Sequence, residues 1–278
     1  MSDFYAPARS GPLDQADGLR RLFAGRRRHV LPLVANPHVP FSGLVLDRVA
    51  AVFAAQGREV LVVDAGSTSP PPHELSRVDL AACVERLSPR VSYLPARGLP
   101  LSYIDTRGSA AGFIDAVQRA APDAEVLLLH AEGPELARVF RRRAARPLLL
   151  GADHPDSIKH AYANLKLLVR RCDLMTFDLF LTASTLSPRA AAIGASLADC
   201  ADRFLGASLL HTALIDPAGE LSDAPDEALA ALLAAQLALD ELQPPPSPMA
   251  PPDRMPVVRQ KAATAVLASP TPSRIANP

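Results

Sequence analysis

The sequence predicts an α/β fold with an open, doubly wound, mostly parallel sheet of about seven strands and helices on both faces. Seven short runs are almost continuously apolar, as strands buried on both faces of a parallel sheet require. Segments with helical spacing of apolar residues separate these runs. This alternation is typical of parallel strands joined by right-handed crossovers.

The predicted strands are short runs rich in valine and leucine, such as REVLVVD and EVLLLH. In chain order they are residues 29–35, 58–64, 91–95, 125–130, 146–152, 175–183 and 208–215.

The predicted helices lie between these strands, at residues 43–56, 73–87, 109–120, 132–143, 154–171, 187–205 and 225–242. In the segment 154–171 one face carries the apolar residues, and Asp156 or Ser157 is placed to cap the first turn. The apolar residues of that face are Ile158, Ala161, Leu165, Leu168 and Val169.

Proline content divides the chain into three parts. Ten of the 28 prolines lie in residues 243–278, and because proline lacks a backbone donor, we expect this tail to be disordered. Residues 29–242 form the predicted α/β domain. Residues 1–28 precede the first strand and contain one amphipathic helical stripe, a pattern that suits binding to a partner groove as well as packing on the chain's own sheet.

Composition excludes several classes of function. The chain has 29 basic and 29 acidic residues, so no global field attracts nucleic acid or an anionic membrane. The three cysteines are scattered, which argues against disulfides and a zinc site. The first residues do not resemble a signal peptide, and no run of about 18 apolar residues occurs, so we expect a cytoplasmic protein.

The loop ANPHVPFSG, residues 35–43, follows the first strand, where a nucleotide-binding fold would carry its phosphate loop. Such a loop needs glycine torsions, inward N–H groups and a lysine. Here Pro37 and Pro40 remove two N–H donors, and the loop has neither lysine nor arginine. We expect no triphosphate to bind to it.

Two further polar residues end predicted strands. Asp64 can contact a metal or orient a water, or simply cap the following turn. His130 stands where a metal-dependent hydrolase would carry a carboxylate, and Mg²⁺ prefers oxygen ligands. A lone histidine at a strand end is otherwise a structural or solvent-facing residue.

Weaker patterns carry less information. The motif DTRG at 105–108 matches a nucleotide switch by chance, because no buried strand precedes it. Hydrolase groupings of Glu132 and His130 with Asp153, or of Ser42 with His38, lack an orienting third group. The basic triplets 26–28 and 141–143 are typical of solvated helix ends.

Several segments together resemble the MinD/ParA-type ATPases, and among them the FlhG/FleN flagellar number regulators, over residues 12–242. The segment DHPDSIKHAYANLKLLVRR (153–171) is similar to the family's PEPTSITDAYALIKLL, and DQADGLRRL (14–22) resembles its DQAxGLR element. Three further segments are similar to the family and occur in the same order along the chain: AAQGREVLVVDAG, VSYLPARG and ADRFLGASLLHTALIDP.

The departures from this family fall on its chemistry. Its phosphate loop GKGGVGK[ST] aligns with residues 36–43, so that the signature lysine becomes Pro37, the second lysine Ser42 and the Mg²⁺-binding residue Gly43. The aspartate of its DTAAG-type switch becomes His130, and Asp64 alone keeps its place. With these departures, the resemblance implies a pseudo-ATPase that has neither a cofactor nor a metal.

The resemblance also implies a partner. In the family the DQAxGLR element binds and stimulates the FlhF signal-recognition-type GTPase, and the matching residues are Asp14, Gln15, Gly18, Leu19 and Arg20. We expect a monomer or weak dimer without strong membrane binding, since the last helix carries only acidic charges. The alternatives are a MinD-like ATPase that binds ATP unconventionally and an accessory protein of another surface system, such as cellulose synthesis.

Overall fold

The computed structural model describes residues 28–184, 187–219 and 227–242, and at the centre of this part lies one sheet of eight strands. The strands are β1 (His29–Val34), β2 (Val60–Asp64), β3 (Glu85–Ser88), β4 (Val91–Pro95), β5 (Val126–Ala131), β6 (Leu148–Ala152), β7 (Thr176–Thr182) and β8 (Ser208–Ile215). Their order is β3-β4-β2-β5-β1-β6-β7-β8, with every pair parallel except β3 and β4. The predicted doubly wound α/β fold is confirmed.

Helices cover both faces of the sheet. They are α1 (Ser42–Ala55), α2 (Gly112–Ala120), α3 (Gly133–Val139), α4 (Pro155–Cys172), α5 (Ala190–Leu205) and α6 (Glu227–Leu242). Buried residues of α1 and α6, such as Phe53 and Leu232, form one apolar core with Leu128 of the sheet. Buried residues of α2 to α5 form the core on the opposite face. Successive residues of β5 lie alternately in the two cores, which explains why its apolar run is continuous.

The predicted helix at 73–87 is wrong. This segment contains two 3₁₀ turns, Glu74–Arg77 and Ala81–Cys83, followed by strand β3, which pairs antiparallel with β4. The Asp79 carboxylate accepts the N–H of Ala82 at 3.2 Å and so favours a short turn over a continued helix. Because β3 is exposed along its whole length, it has no apolar run that would reveal it in the sequence.

The start of α4 also differs from the prediction. Pro155 occupies the first turn, so the capping residue is His154, whose Nδ1 accepts the N–H of Asp156 at 3.3 Å. Ser157 is buried and serves a different purpose, described below. Ala161, Leu165 and Leu168 face the core as predicted.

A buried ion pair joins β6 to β7 away from the strand ends that hold the candidate site. Asp178 is fully buried, and its Oδ2 lies 3.0 Å from Nε of Arg146. Gln236 of α6 donates to the same oxygen at 2.6 Å, and the N–H of His211 donates to Oδ1 at 3.0 Å. These bonds compensate the buried charge and tie β6, β7, β8 and α6 together.

Of the predicted N-terminal segment (1–28) and the predicted tail (243–278), only Arg28 lies within the described residues. Its guanidinium donates to the carbonyls of Gln118 (3.1 Å) and Pro122 (2.8 Å) at the end of α2. This residue is therefore bound to a helix C-terminus, where a cation is favoured by the dipole, and is not merely solvated. The tail 243–278 lies outside the described residues.

Candidate functional site

The carboxyl ends of β5, β1 and β6 lie side by side at one edge of the sheet, which is where doubly wound folds have their crevice. Helix α1, which follows β1, lies on one face of the sheet, whereas α3 and α4, which follow β5 and β6, lie on the other. In doubly wound folds, ligands bind at the point where the strand order reverses and successive helices change from one face of the sheet to the other.

The loop after β1 is fixed to the neighbouring strand by Asn36. This side chain is buried, and its Nδ2 donates to the carbonyls of Leu150 (2.8 Å) and Ser157 (2.9 Å) and contacts the Ser157 hydroxyl at 3.0 Å. The Ser157 hydroxyl also accepts the N–H of Ala152 at 2.9 Å. The start of the loop, the end of β6 and the first turn of α4 are thereby held in one arrangement.

The same loop uses its own backbone donors. The N–H of His38 donates to Oδ1 of Asn36 at 3.1 Å, and the N–H of Val39 donates to the Asn36 carbonyl at 3.0 Å. Pro37 and Pro40 have no N–H to offer. The residues from 37 to 40 therefore do not present the row of inward-pointing amides that cradles a phosphate.

Phe41 ends the loop in an unusual conformation. Its φ is +59° and its ψ +42°, in the left-handed region that disfavours side chains with a Cβ, and its ring is 73% exposed. Helix α1 begins at the next residue, Ser42, without a side-chain cap. Gly43 is exposed, and nothing lies within 4 Å of where its Cβ would be. The loop thus presents a strained aromatic residue to solvent at the crevice.

Asp64 and His130 form a close pair at the ends of the adjacent strands β2 and β5. They are register partners, and Nδ1 of His130 lies 2.6 Å from Oδ1 of Asp64. An ionised carboxylate can only accept a hydrogen bond, so Nδ1 carries the proton. His130 is 2% exposed, which makes the solvent-facing alternative for this residue wrong.

The surroundings of this pair are tightly packed. The hydroxyl of Tyr93 donates to Oδ2 of Asp64 at 3.2 Å, and the N–H of Gly66 donates to Oδ1 at 3.3 Å, so Asp64 also caps the following turn as the sequence suggested. A Cβ at Gly66 would lie 2.7 Å from Cε1 of His130, so only glycine fits there. Within the described residues, Nε2 of His130 is buried without a hydrogen-bond partner.

The surroundings of Asp64 favour its ionised form. Burial raises the pKa of Asp64, but the hydrogen bond and charge of His130, with donors from Ser69 and Gly66, outweigh burial and hold that pKa below its ordinary value. Burial, and then the carboxylate of Asp64, raises the pKa of the Tyr93 hydroxyl. Tyr93 therefore remains a neutral donor to an ionised Asp64.

The other candidate residues lie apart in separate contacts. Glu132 accepts from the Ser67 hydroxyl at 2.8 Å, and Asp153 from the Ser187 hydroxyl at 2.7 Å. The ring of His38 packs edge-on against His160, with centroids 5.8 Å apart, and is not paired with Ser42. Neither hydrolase grouping is assembled, and no group of three or more potential metal ligands occurs in the described part of the chain.

The DTRG segment is an exposed turn. Oδ1 of Asp105 accepts the N–H groups of Arg107 (2.9 Å) and Ser109 (2.8 Å), so this carboxylate is used locally. The five residues matched to a partner-binding element, Asp14, Gln15, Gly18, Leu19 and Arg20, lie outside the described residues.

Sequence reasoning missed Asn36, Ser157 and Tyr93 as parts of the site. Asn36 and Ser157 are 121 positions apart, and only the fold brings them together. The one usable signal was the place of Asn36 directly after a buried strand, where polar residues belong to the crevice. No helix in the described ranges is long and apolar enough to cross a membrane.

No family model and no curated protein matches the chain, but solved structures share its fold. Cobyrinic acid a,c-diamide synthase from Mycobacterium smegmatis has a TM-score of 0.54 at 16% identity, covering 78% of this chain and 96% of that one. A plasmid partition protein from Borrelia burgdorferi has a TM-score of 0.53 at 11% identity, covering 77% and 99%. The MinD cell division protein of Aquifex aeolicus has a TM-score of 0.50 at 15% identity, covering 78% and 99%. The fold is that of the MinD/ParA-type P-loop NTPases.

Replacing Phe41 by glycine should stabilise the protein. A side chain in the left-handed region costs about 1 kcal/mol, so Phe41→Gly should raise the free energy of unfolding by about that amount in urea denaturation. The matched control is Phe204→Gly, because Phe204 is 70% exposed but lies in α5. There glycine should lower the free energy by about 0.5 kcal/mol. Equal effects of the two substitutions would show that Phe41 is not strained.

The Asp64 pair should make stability depend on pH in acid. Because the folded-state pKa of Asp64 is lowered, its contribution is present above pH 3.8, the ordinary value, and is lost as pH falls through the lower folded-state value. The difference in unfolding free energy between the wild type and Asp64→Asn should therefore shrink below about pH 4. The exposed Asp123→Asn serves as control. A difference that stays constant from pH 5 to about pH 2 would contradict the assignment.

Proposed function

We propose that this protein is a nucleotide-independent adaptor of the FlhG/FleN type, a pseudo-ATPase that regulates flagellar assembly, number or placement through protein contacts. The observation that carries the proposal is the closed Asp64–His130 pair at the strand ends, beside a proline-containing loop that has no lysine. In this fold, those positions are where a Mg²⁺-nucleotide would be bound.

The loop does not suit a triphosphate. It contains no cation, two of its residues lack an N–H, and the N–H groups of His38 and Val39 already donate to Asn36. Each lost charge-assisted contact in a dry site costs on the order of 1.5 to 3 kcal/mol. Without lysines, loop amides and a hydroxyl at Gly43 to bind the metal, most of the affinity for ATP is removed.

The strand ends do not suit Mg²⁺ either. Magnesium requires oxygen ligands, and the residue opposite Asp64 is an imidazole whose Nδ1 already holds the Asp64 carboxylate at 2.6 Å. The Tyr93 hydroxyl and the Gly66 N–H donate hydrogen bonds to the same carboxylate. Asp64 therefore acts as the acceptor at the centre of a hydrogen-bond network and orients His130.

The flagellar assignment rests on sequence likeness, chiefly residues 14–22 and 153–171. The second of these segments includes α4, whose Ser157 binds the loop through Asn36. In this proposal the α/β domain is a rigid support, and Asp14, Gln15, Gly18, Leu19 and Arg20 contact the partner. The partner is an FlhF-type GTPase, and Gln15 and Arg20 are the polar pair that faces it. We expect the protein to work in the cytoplasm as a monomer or weak dimer.

Substitution of Gln15 tests this contact. Gln15→Ala should reduce stimulation of an FlhF-type GTPase by about tenfold or more, because residues that anchor an interface carry most of its energy. The measurement is single-turnover GTP hydrolysis with the full-length chain. Gln56→Ala, an exposed glutamine at the end of α1, is the matched control and should have no effect. Unchanged binding and stimulation by Gln15→Ala would remove the main support for this partner.

A further inference from the structure

A second surface feature is a cleft of about 300 Å³ beside α3 and α4. Three arginines line it: Arg138 in the last turn of α3, Arg141 just beyond that helix, and Arg171 in the last turn of α4. The other described residues that line it are Gly108, Pro134, Ala137 and Leu167, none of which carries a polar side chain. None of these residues belongs to the loop 36–43 or to the Asp64–His130 pair.

Within the described residues, none of the three cleft arginines forms an ion pair. Arg143, from the same basic triplet as Arg141, pairs with Asp115 at 2.7 Å. In contrast, no carboxylate of the described residues lies within 4.0 Å of the guanidinium groups of Arg138, Arg141 or Arg171. Such a concentration of unpaired cations in a concave surface attracts an anionic group.

One wall of the cleft is held in place by several bonds. The carbonyl of Arg138 accepts the N–H of Ala110 at 3.0 Å, which fastens the turn containing Gly108 to α3. Arg141 donates from Nη1 to the carbonyl of Arg107 in the same turn at 2.7 Å. Its guanidinium is therefore positioned before any ligand arrives, which lowers the entropic cost of binding.

We propose that this cleft binds an acidic, partly apolar peptide segment of a protein partner. Arginine forks suit carboxylates, and the walls formed by Ala137 and Leu167 suit aliphatic side chains placed at helical spacing between them. A cleft of about 300 Å³ accommodates a few side chains. Among the described residues, its lining contains no aromatic ring on which a nucleobase could stack, which disfavours a nucleic acid.

The test uses two synthetic peptides and the full chain. One fluorescent amphipathic peptide carries glutamate and leucine at helical spacing, and the other has lysine in place of each glutamate. Fluorescence anisotropy at physiological ionic strength should show binding of the glutamate peptide and at least about tenfold weaker binding of the lysine peptide, because a like-charged ligand is repelled. The double substitution Arg138→Glu and Arg171→Glu should weaken binding of the glutamate peptide by about tenfold or more.

Controls keep the outcome decisive. Arg77→Glu with Arg119→Glu makes the same change of net charge at exposed arginines outside the cleft and should leave the affinity within about twofold. Arg138→Gln with Arg171→Gln repeats the test without charge reversal, and circular dichroism verifies folding of each variant. The proposal is overturned by equal binding of both peptides, by equal losses in the cleft and control variants, or by no measurable binding. Arginine-dependent binding of duplex DNA in place of the glutamate peptide would also overturn it.

Discussion

The 2.6 Å contact between His130 and Asp64 sets what the crevice of this protein can hold. It exists because β2 and β5 are adjacent and in register, so that the last polar residue of one strand meets that of the other. It requires glycine at position 66, lowers the pKa of Asp64 chiefly through the hydrogen bond from His130, and leaves Tyr93 neutral as a donor. The Asp64 carboxylate accepts hydrogen bonds from His130, Tyr93 and Gly66.

Two apolar cores, one on each face of the sheet, provide the burial on which a doubly wound domain rests. The buried network of Asp178, Arg146 and Gln236 joins strands and helix at a distance from the loop after β1. Asn36 fixes the loop after β1 to β6 and α4 through hydrogen bonds to Leu150 and Ser157.

Strands β1, β2, β5, β6 and β7 were predictable because a strand buried on both faces leaves a continuous apolar run. Strands β4 and β8 are partly exposed but still have short apolar runs, and six helices were predictable because their apolar spacing matches one face. Strand β3 has no such run, since all four of its residues are exposed, and only its hairpin with β4 defines it. The partners of Asn36 and the approach of Arg138 to Arg171 could not be read from the sequence, since each depends on segments far apart in the chain. The sequence alone shows that the loop has no lysine. The contact of His130 with Asp64 could be identified only from the register of β2 and β5.

Isothermal titration of the full-length chain with ATP in the presence of Mg²⁺ tests the central claim most directly. The proposed function predicts no heat of binding with ATP at concentrations up to about a millimolar, where a binding free energy of about −4 kcal/mol would still be detected. Saturable binding with a micromolar dissociation constant would contradict the account, because it would show that the proline-containing loop and the Asp64–His130 pair still accommodate a nucleotide.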